Sequence, residues 1–341
     1  MTTPASGPGR SWLSRRLPYL YGACIIVGFV LVDWAGCDLL MPKPAPYRYE
    51  LIAEGNIAAF PGLELRAPAE LAIRKFAVRH SDSGADLAEL HIADLGEGAA
   101  PVLLDWQNAT SAVPLALAGR PQDLDLLAEA VAEHVPDDAL LLAWWDTSRQ
   151  LAALTGVAVL YDKNLPRPLI VPPEWIGRRK SIESLERVFW RLPEDGGVGF
   201  DRFLDAMAAT PAEGARALAE IADGRRAFIT VQLADAYKLA LVRPQVFGVG
   251  YRDFSRTGDI HNDIRQVKDW LAKQGFGIYA VESINIARNR VYYLANEKTA
   301  GSLLAGLLPF GEFEPLELEE LKLVANYGSY WVYEIMPPIA Q

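Results

Sequence analysis

The first feature of the hydrophobic pattern is an apolar run close to the start of the chain. Residues 17–32, LPYLYGACIIVGFVLV, carry no charge, and the apolar character continues to Met41 with interruptions at Asp33 and Asp38. At a rise of ~1.5 Å per residue the uncharged run covers ~24 Å of the ~30 Å hydrocarbon core of a bilayer. The pattern therefore predicts a transmembrane anchor over residues 17–40.

Charges beside this run predict its orientation. Arg10, Arg15 and Arg16 precede it, and no basic residue follows until Lys43. Positively charged flanks stay on the cytoplasmic side of a membrane, so residues 1–16 are expected in the cytoplasm and the rest outside it. A buried core helix is the alternative for such a run, but the terminal position and the arginine-rich flank disfavour it.

Two processing signals compete with a permanent anchor. The sequence WAGC at residues 34–37 resembles a degenerate lipoprotein cleavage box, and Asp38 after it resembles a signal for retention in the inner membrane. Ser14 and the two arginines after it faintly resemble a twin-arginine signal. Lipidation of Cys37 stays open, and under each alternative the domain remains outside the cytoplasm. The expected location is the bacterial inner membrane, with a single span and the C-terminal domain in the periplasm.

Beyond this segment, short apolar runs alternate with amphipathic stretches. The apolar runs indicate buried strands, and the stretches between them repeat with helical periodicity. Such alternation is typical of a largely parallel sheet covered by helices. The pattern predicts strands at residues 102–105, 139–144, 157–161, 227–232 and 246–250. It predicts helices at residues 122–134, 147–155, 181–191, 212–222 and 259–274.

The two ends of this region follow other patterns. Residues 71–78 and 87–92 flank a polar turn and predict a hairpin. Near the C-terminus, strands are predicted at residues 277–284, 290–295, 318–324 and 330–335, with few helices between them. These strands favour antiparallel additions to the sheet.

The predicted fold class is therefore α/β, with an N-terminal transmembrane helix followed by a mixed, mostly parallel sheet that has helices on both faces and antiparallel additions near the C-terminus. Prolines at residues 42, 44 and 46 predict a stiff spacer over residues 41–50. Residues 51–341 are expected to form one periplasmic α/β domain.

Composition excludes several classes of function. The chain has 33 basic and 43 acidic residues and a formal net charge of −10, which disfavours nucleic-acid binding. Its two cysteines, Cys24 and Cys37, lie in or beside the apolar run. The remainder can form no disulfide, cysteine-ligated zinc site, iron–sulfur cluster or covalent haem attachment, so we expect no cofactor.

The string LLLAWWDTSR at residues 140–149 is the most distinctive candidate for a binding site. It predicts a buried strand that ends at two tryptophans and enters a helix, and open α/β folds bind ligands at the carboxyl ends of such strands. One interpretation is a ligand-binding lip formed by Trp145, Asp146 and Arg149. The other is a helix cap at Asp146 or Thr147, with the tryptophans as core aromatic residues.

Asp105 and Asn108 belong to a polar string, residues 105–110, that follows another predicted strand and is expected at the same sheet edge. The alternative for this string is a turn capped by Asn108 and Thr110. Asp259, His261 and Asp263 suggest a metal site or an acid/base pair, or alternatively the capped start of a helix. No phosphate loop or nucleophile elbow occurs in the sequence. We therefore predict no catalytic residue and no metal ligand; a hydrolase using Asp259 and His261 is the weakest of three hypotheses.

Residues 139–162 resemble the region of oligosaccharyltransferase catalytic subunits in which a strand ends in a W-W-D motif. In that family the motif reads W-W-D-Y-G and contacts the acceptor peptide. Here the W-W-D part matches, whereas Thr147 and Ser148 replace Tyr-Gly, and the many membrane helices and catalytic acids of the family are missing. This resemblance implies a peptide- or glycan-binding module without transferase activity.

The whole chain resembles the HaoB family of hydroxylamine oxidation proteins, which are encoded beside an octahaem hydroxylamine oxidoreductase. The resemblance rests on the anchor, the chain length, residues 105–110 and 114–119, and the block at residues 141–156. It implies a periplasmic accessory role in nitrogen metabolism. The leading hypothesis is a membrane-tethered protein that docks, assembles or positions a multihaem oxidoreductase, with the binding module as its rival.

Overall fold

The computed structural model describes residues 43–109, 115–195, 199–311 and 318–336. The predicted anchor at residues 17–40 lies outside these stretches. Every helix within them is too short or too polar to cross a membrane. The chain from Ala45 onward belongs to one structural unit.

The first sheet is an antiparallel meander of four consecutive strands. Its order is β1 (Tyr47–Gly55), β2 (Ala72–His80), β3 (Asp86–Asp94) and β4 (Val102–Asn108). The predicted hairpin is therefore confirmed as β2 and β3. β1 begins within the stretch 41–50 that the sequence predicts as a spacer, so the folded part starts before residue 51.

The second sheet contains the parallel pair of strands. It has the order β10 (Leu321–Tyr327), β11 (Tyr330–Ile335), β6 (Ala227–Gln232) and β5 (Leu140–Ala143). β5 and β6 are parallel, whereas β6–β11 and β10–β11 are antiparallel. In place of the strand predicted at residues 157–161, a single parallel bridge joins Val159 to β5.

Both faces of this second sheet are buried, which explains its uninterrupted apolar runs. Leu140 and Leu142 pack into one core, and Leu141 between them packs into another. Ile229 and Phe228 of β6 divide in the same way. Successive strand residues point to opposite faces, so a strand covered on both sides has apolar side chains at every position.

Helices cover both faces of the second sheet. Their bounds, in chain order, are α1 (Pro121–His134), α2 (Trp145–Thr155), α3 (Arg179–Trp190), α4 (Phe200–Ala208), α5 (Pro211–Ala222), α6 (Leu233–Val242), α7 (Ile260–Gln274), α8 (Glu297–Ala300) and α9 (Leu303–Leu307). Side chains of α1 and α2 share one core with the meander, and those of α4, α5, α6 and α9 share the other. Short 3₁₀ helices form at Ile57–Ala59, Pro61–Leu63 and Pro173–Arg178.

The third sheet is antiparallel, with the order β7 (Val249–Ser255), β9 (Arg288–Leu294) and β8 (Tyr279–Asn285). Val267 and Leu271 of α7 pack against it. The predicted strands near the C-terminus thus form, but they divide between this sheet and the second one.

The prediction of a mixed α/β fold is confirmed, but the prediction of one mostly parallel sheet is wrong. Parallel pairing in the described residues is limited to β5 with β6 and the bridge at Val159. The runs at 102–105 and 246–250 belong to antiparallel sheets. A continuous apolar run indicates that a strand is buried on both faces, but burial does not determine whether the neighbouring strand is parallel or antiparallel.

Candidate functional site

The carboxyl ends of β5 and β6 each lead directly into a helix. Trp144 is the N-cap of α2, and Gln232 is the N-cap of α6. The two helix starts are close neighbours, because Nε2 of Gln232 donates a hydrogen bond to Oγ1 of Thr147 over 3.3 Å. This arrangement places the first turns of two helices at one edge of the second sheet.

A buried lysine connects these two helix starts. Nζ of Lys238 lies 2.7 Å from Oδ2 of Asp146 and 3.1 Å from Oδ1 of Asp235, and the lysine is only 1% exposed. Both aspartates belong to first turns, where the helix dipole favours negative charge. We call Asp146, Asp235 and Lys238 the lysine triad.

Burial and charge act in opposite directions on the triad. Burial lowers the pKa of Lys238, but the two carboxylates outweigh this effect and the pKa is raised. Burial raises the pKa of Asp235 to about 6, with Lys238 opposing the shift and Asp146 adding to it. Lys238 therefore remains an ammonium ion that two carboxylates compensate.

Next to the triad lies a cavity of about 130 Å³, which we call the first cavity. Its walls come from β1, β4, α2, α3, α6 and the segments at residues 115–117 and 164–170. Aromatic rings form much of the lining, contributed by Tyr49, Trp106, Trp145 and Trp190. The cavity is therefore a mainly apolar space with several charged side chains in its lining.

Arg149 of α2 is one of these charged side chains and is only 8% exposed. Nη1 donates to the carbonyl oxygen of Pro101 over 3.1 Å and to Oδ1 of Asn164, and Nη2 donates to the carbonyl oxygen of Ala100. Burial lowers the pKa of Arg149, whereas Asp162 and Asp146 act to raise it from a distance. All three acceptors are neutral oxygen atoms.

Glu186 of α3 provides a carboxyl group at another part of the cavity wall. Its Oε1 accepts hydrogen bonds from the hydroxyls of Tyr47 and Tyr49, each at 2.7 Å. Burial raises the pKa of Glu186, although hydrogen bonds from the two tyrosines and from Trp190 oppose this shift. The folded protein thus favours the protonated form of this acid more than water does.

A second cavity of about 690 Å³ shares Arg149 and Asn164 with the first, since both residues line both spaces. Lys163 and Arg191 also line this second cavity, together with Asp162. Arg191, like Arg149, donates to backbone carbonyl oxygens, those of residues 96 and 99. Basic side chains therefore outnumber acidic ones along this wall.

The structure brings Trp145, Asp146 and Arg149 together in the lining of the first cavity. The helix begins at Trp145, so the cap is Trp144 and neither Asp146 nor Thr147. Trp144 is buried against Phe200, with ring centroids 5.4 Å apart, whereas Trp145 is half-buried.

The other two predicted residues, Asp105 and Asn108, are absent from the described lining of either cavity. Oδ2 of Asp105 lies 3.2 Å from Nδ1 of His91 and accepts a hydrogen bond from Gln107. Asn108 is exposed and accepts a hydrogen bond from Nε1 of Trp106. Asn108 therefore does not line the first cavity, but its hydrogen bond orients Trp106, which does.

Asp259 is the N-cap of α7, and its Oδ1 accepts a hydrogen bond from the backbone N–H of His261 over 2.9 Å. Asp263 accepts from the backbone and hydroxyl of Thr257, each at 2.8 Å. Of the two interpretations of this cluster, the structure thus agrees with the capped start of a helix. No grouping of three or more metal-binding side chains occurs among the described residues.

Two charged residues of this site, Glu186 and Lys238, are not among the residues predicted from the sequence. A signal was present for each of them. Lys238 and Asp235 are the charged residues of the otherwise apolar helix LADAYKLALV, three positions apart. Glu186 follows Ile182 by one helical turn, which places it on the buried face of α3.

Together these features define a mixed α/β protein with a ligand-sized cavity beside the ends of two parallel strands. The model of the family described as HaoA-associated protein HaoB matches residues 14–335, and the chain belongs to this family. The family resemblance predicted from the sequence is thereby confirmed.

Among solved structures, the chain is similar to the C-terminal domain of PglB from C. jejuni. The two share 10% sequence identity, the match covers 62% of this chain and 98% of that chain, and the TM-score is 0.36. A search of curated proteins found no match.

Proposed function

We propose that this chain is a non-catalytic accessory protein of hydroxylamine oxidation that associates with HaoA, the hydroxylamine oxidoreductase. The observation that carries the proposal is the family match over residues 14–335, because the family is described by its association with HaoA. The proposed role is to dock, assemble or position that multihaem enzyme. Nothing in this role requires the chain to carry a cofactor of its own.

The proposal includes a tether to the bacterial inner membrane. In this proposal, residues 17–40 span the bilayer and the folded unit lies in the periplasm. The uncharged run at residues 17–32 and the arginines before it support this placement. A tether would confine the encounter with HaoA to the membrane surface.

Crosslinking followed by affinity purification tests the association. A C-terminally tagged full-length chain is crosslinked in the native bacterium, extracted in detergent and purified, and haem staining detects the multihaem enzyme. We expect recovery of the oxidoreductase with this chain. A second tagged chain, with residues 1–40 replaced by a cleaved export signal, measures how much of the association depends on the tether.

If neither chain recovers a haem protein, although both are folded and accessible to the affinity resin, the accessory role is wrong. If only the full-length chain recovers the enzyme, the association depends mainly on the tether.

A second candidate function is a peptide- or glycan-binding module without transferase activity. The observation that favours it is that Trp145, Asp146 and Arg149 line the same cavity. Trp145→Ala is the suitable variant, because replacing Asp146 would also remove an ion-pair partner from buried Lys238. We expect it to abolish binding in peptide and oligosaccharide arrays, whereas Trp270→Ala, in the separate core beneath α7, should leave binding intact.

A further inference from the structure

The guanidinium of Arg149 is a buried charge that no carboxylate of the described residues neutralises by direct contact. Three of its five N–H groups donate to the neutral oxygens of Ala100, Pro101 and Asn164. The remaining two, one on Nε and one on Nη2, have no acceptor within the described stretches. Burying a cation without an anionic partner is costly, so a ligand that brings a negative charge to this point would be stabilised.

The other charged groups around the first cavity do not offer a buried, unpaired positive charge to a ligand. Asp146 belongs to the lysine triad, with Lys238 2.7 Å away. Glu186 accepts hydrogen bonds from two tyrosine hydroxyls and lines the wall contributed by α3. Asp162 is exposed and acts on Arg149 only from a distance. Arg167 also lines this cavity, but it is exposed, so water already solvates its guanidinium. Among the buried charged groups of the lining, Arg149 is therefore the one that offers free donors to an incoming anion.

The dimensions of the first cavity limit the rest of the ligand. Its volume is about 130 Å³. An apolar cavity of roughly 150 Å³ in another protein is known to accept benzene, so the space suits an apolar group of about that size. Leu103, Leu117 and Ile170, together with the ring of Trp145, offer that group an apolar surface.

We propose that the first cavity binds a small amphiphilic carboxylate, with its carboxylate on the free N–H groups of Arg149 and an apolar part about the size of a benzene ring between Trp145 and Ile170. A planar guanidinium matches the two oxygens of a carboxylate, and such charge-assisted hydrogen bonds are strong. Asn164 holds the guanidinium in place, because its Oδ1 accepts from Nη1 while its Nδ2 donates to the carbonyl oxygen of Trp190. The inference rests on the second candidate function for the location of the site, assigns that site a smaller ligand, and is independent of the association with HaoA.

Calorimetry on the purified full-length chain in detergent tests this inference, with benzoate as the probe. Benzamide has the same ring and nearly the same shape without the charge, and acetate has the carboxylate without the ring. We expect benzoate to bind and both analogues to bind about ten-fold more weakly or worse, because each lacks one of the two contributions. This comparison uses the unchanged protein, so it does not depend on the folding of a variant.

Two arginine variants locate the site. Arg149→Lys keeps the charge but loses the planar fork, and we expect benzoate affinity to fall about ten-fold. Arg216→Gln removes an exposed arginine from α5 and should leave affinity unchanged. A melting curve with and without benzoate shows that each variant is folded, and the ligand should raise the melting temperature of the unchanged chain.

Equal binding of benzoate and benzamide, unchanged affinity in Arg149→Lys, or no binding of benzoate would each overturn the inference. If peptides or glycans bind while benzoate does not, the ligand class proposed here is wrong and the second candidate function stands. Benzoate binding by a chain that recovers no haem enzyme would support the inference while contradicting the accessory role.

Discussion

Lys238 is held almost out of contact with water between Asp146 and Asp235, so the three charges depend on each other. Lys238→Met removes the shared ammonium and leaves two carboxylates close together at the helix starts. Loss of one partner from a buried ion pair costs about 3–5 kcal/mol, and we expect the free energy of unfolding to fall by that amount. Urea unfolding followed by circular dichroism measures it.

Lys268→Met in α7 is the matched control, because Lys268 is exposed to solvent. Its effect should stay within about 0.5 kcal/mol. Similar losses in both variants would mean that the triad contributes no more than surface charges do.

Glu186 leads to a prediction about pH. Burial raises its pKa above the ordinary value of about 4.3, so the folded chain holds this proton more tightly than the unfolded chain does. Its contribution to stability is therefore complete below about pH 4.3 and is lost as the pH rises through the raised pKa. Glu186→Gln keeps an oxygen acceptor for Tyr47 and Tyr49 but removes the titration.

Urea unfolding of both proteins at about pH 4.5 and about pH 8 checks this prediction. The stability of the original protein relative to Glu186→Gln should be lower at the higher pH. A relative stability that rises with pH would show that the carboxylate is the favoured form in the fold. Glu183→Gln, one turn away and not in the cavity lining, is the control.

At the scale of single residues, the sequence predicted the members of the site only where they are close together along the chain. Trp145, Asp146 and Arg149 lie within one and a half helical turns, so a single predicted helix start was enough to group them. Lys238 and Glu186 reach the same cavity from α6 and α3. Tertiary packing alone brings these helices together, and no local pattern encodes it.

The contact between α4 and α5 depends on the absence of a side chain at Gly214. A Cβ added at Gly214 would lie 2.3 Å from the backbone oxygen of Ala206 and 2.8 Å from Cδ2 of Leu303. Gly214→Ala therefore has to separate two helices, which costs about 1–3 kcal/mol and exceeds the gain in helix propensity of about 1 kcal/mol. We expect a net loss of stability, measured by thermal or urea unfolding.

Gly177→Ala is the control for this substitution, since no atom lies within 4 Å of its added Cβ. It should change stability little or increase it slightly, because alanine restricts the unfolded chain. A stabilised Gly214→Ala would show that the helices can move apart without cost.

The positions of most longer elements could be predicted from the sequence, whereas their partners could not. Helical periodicity located α1, α2, α3, α5 and α7 to within a few residues. It missed α6, because LADAYKLALV is apolar on nearly all sides and has no clear polar face. Strand direction was wrong for β4 and β7, since pairing depends on which strands meet and not on their own composition.

For the whole molecule, the placement of the folded unit outside the cytoplasm can be tested by reporter fusion. Alkaline phosphatase fused to the C-terminus should be active, and a β-galactosidase fusion at the same point should be inactive, because the arginines before residue 17 keep the N-terminus inside. Arg15→Glu combined with Arg16→Glu should weaken this bias. The opposite pattern of reporter activity would refute the proposed tether.

The order of strands in the second sheet affects how the protein can be made. β11 lies between β10 and β6, although it is encoded far later than β6. As long as Tyr330–Ile335 has not joined the sheet, β6 has an unpaired edge and its apolar side chains lack part of their cover. Such edges attract wrong partners, so we expect the incomplete chain to aggregate readily until its last described strand is in place.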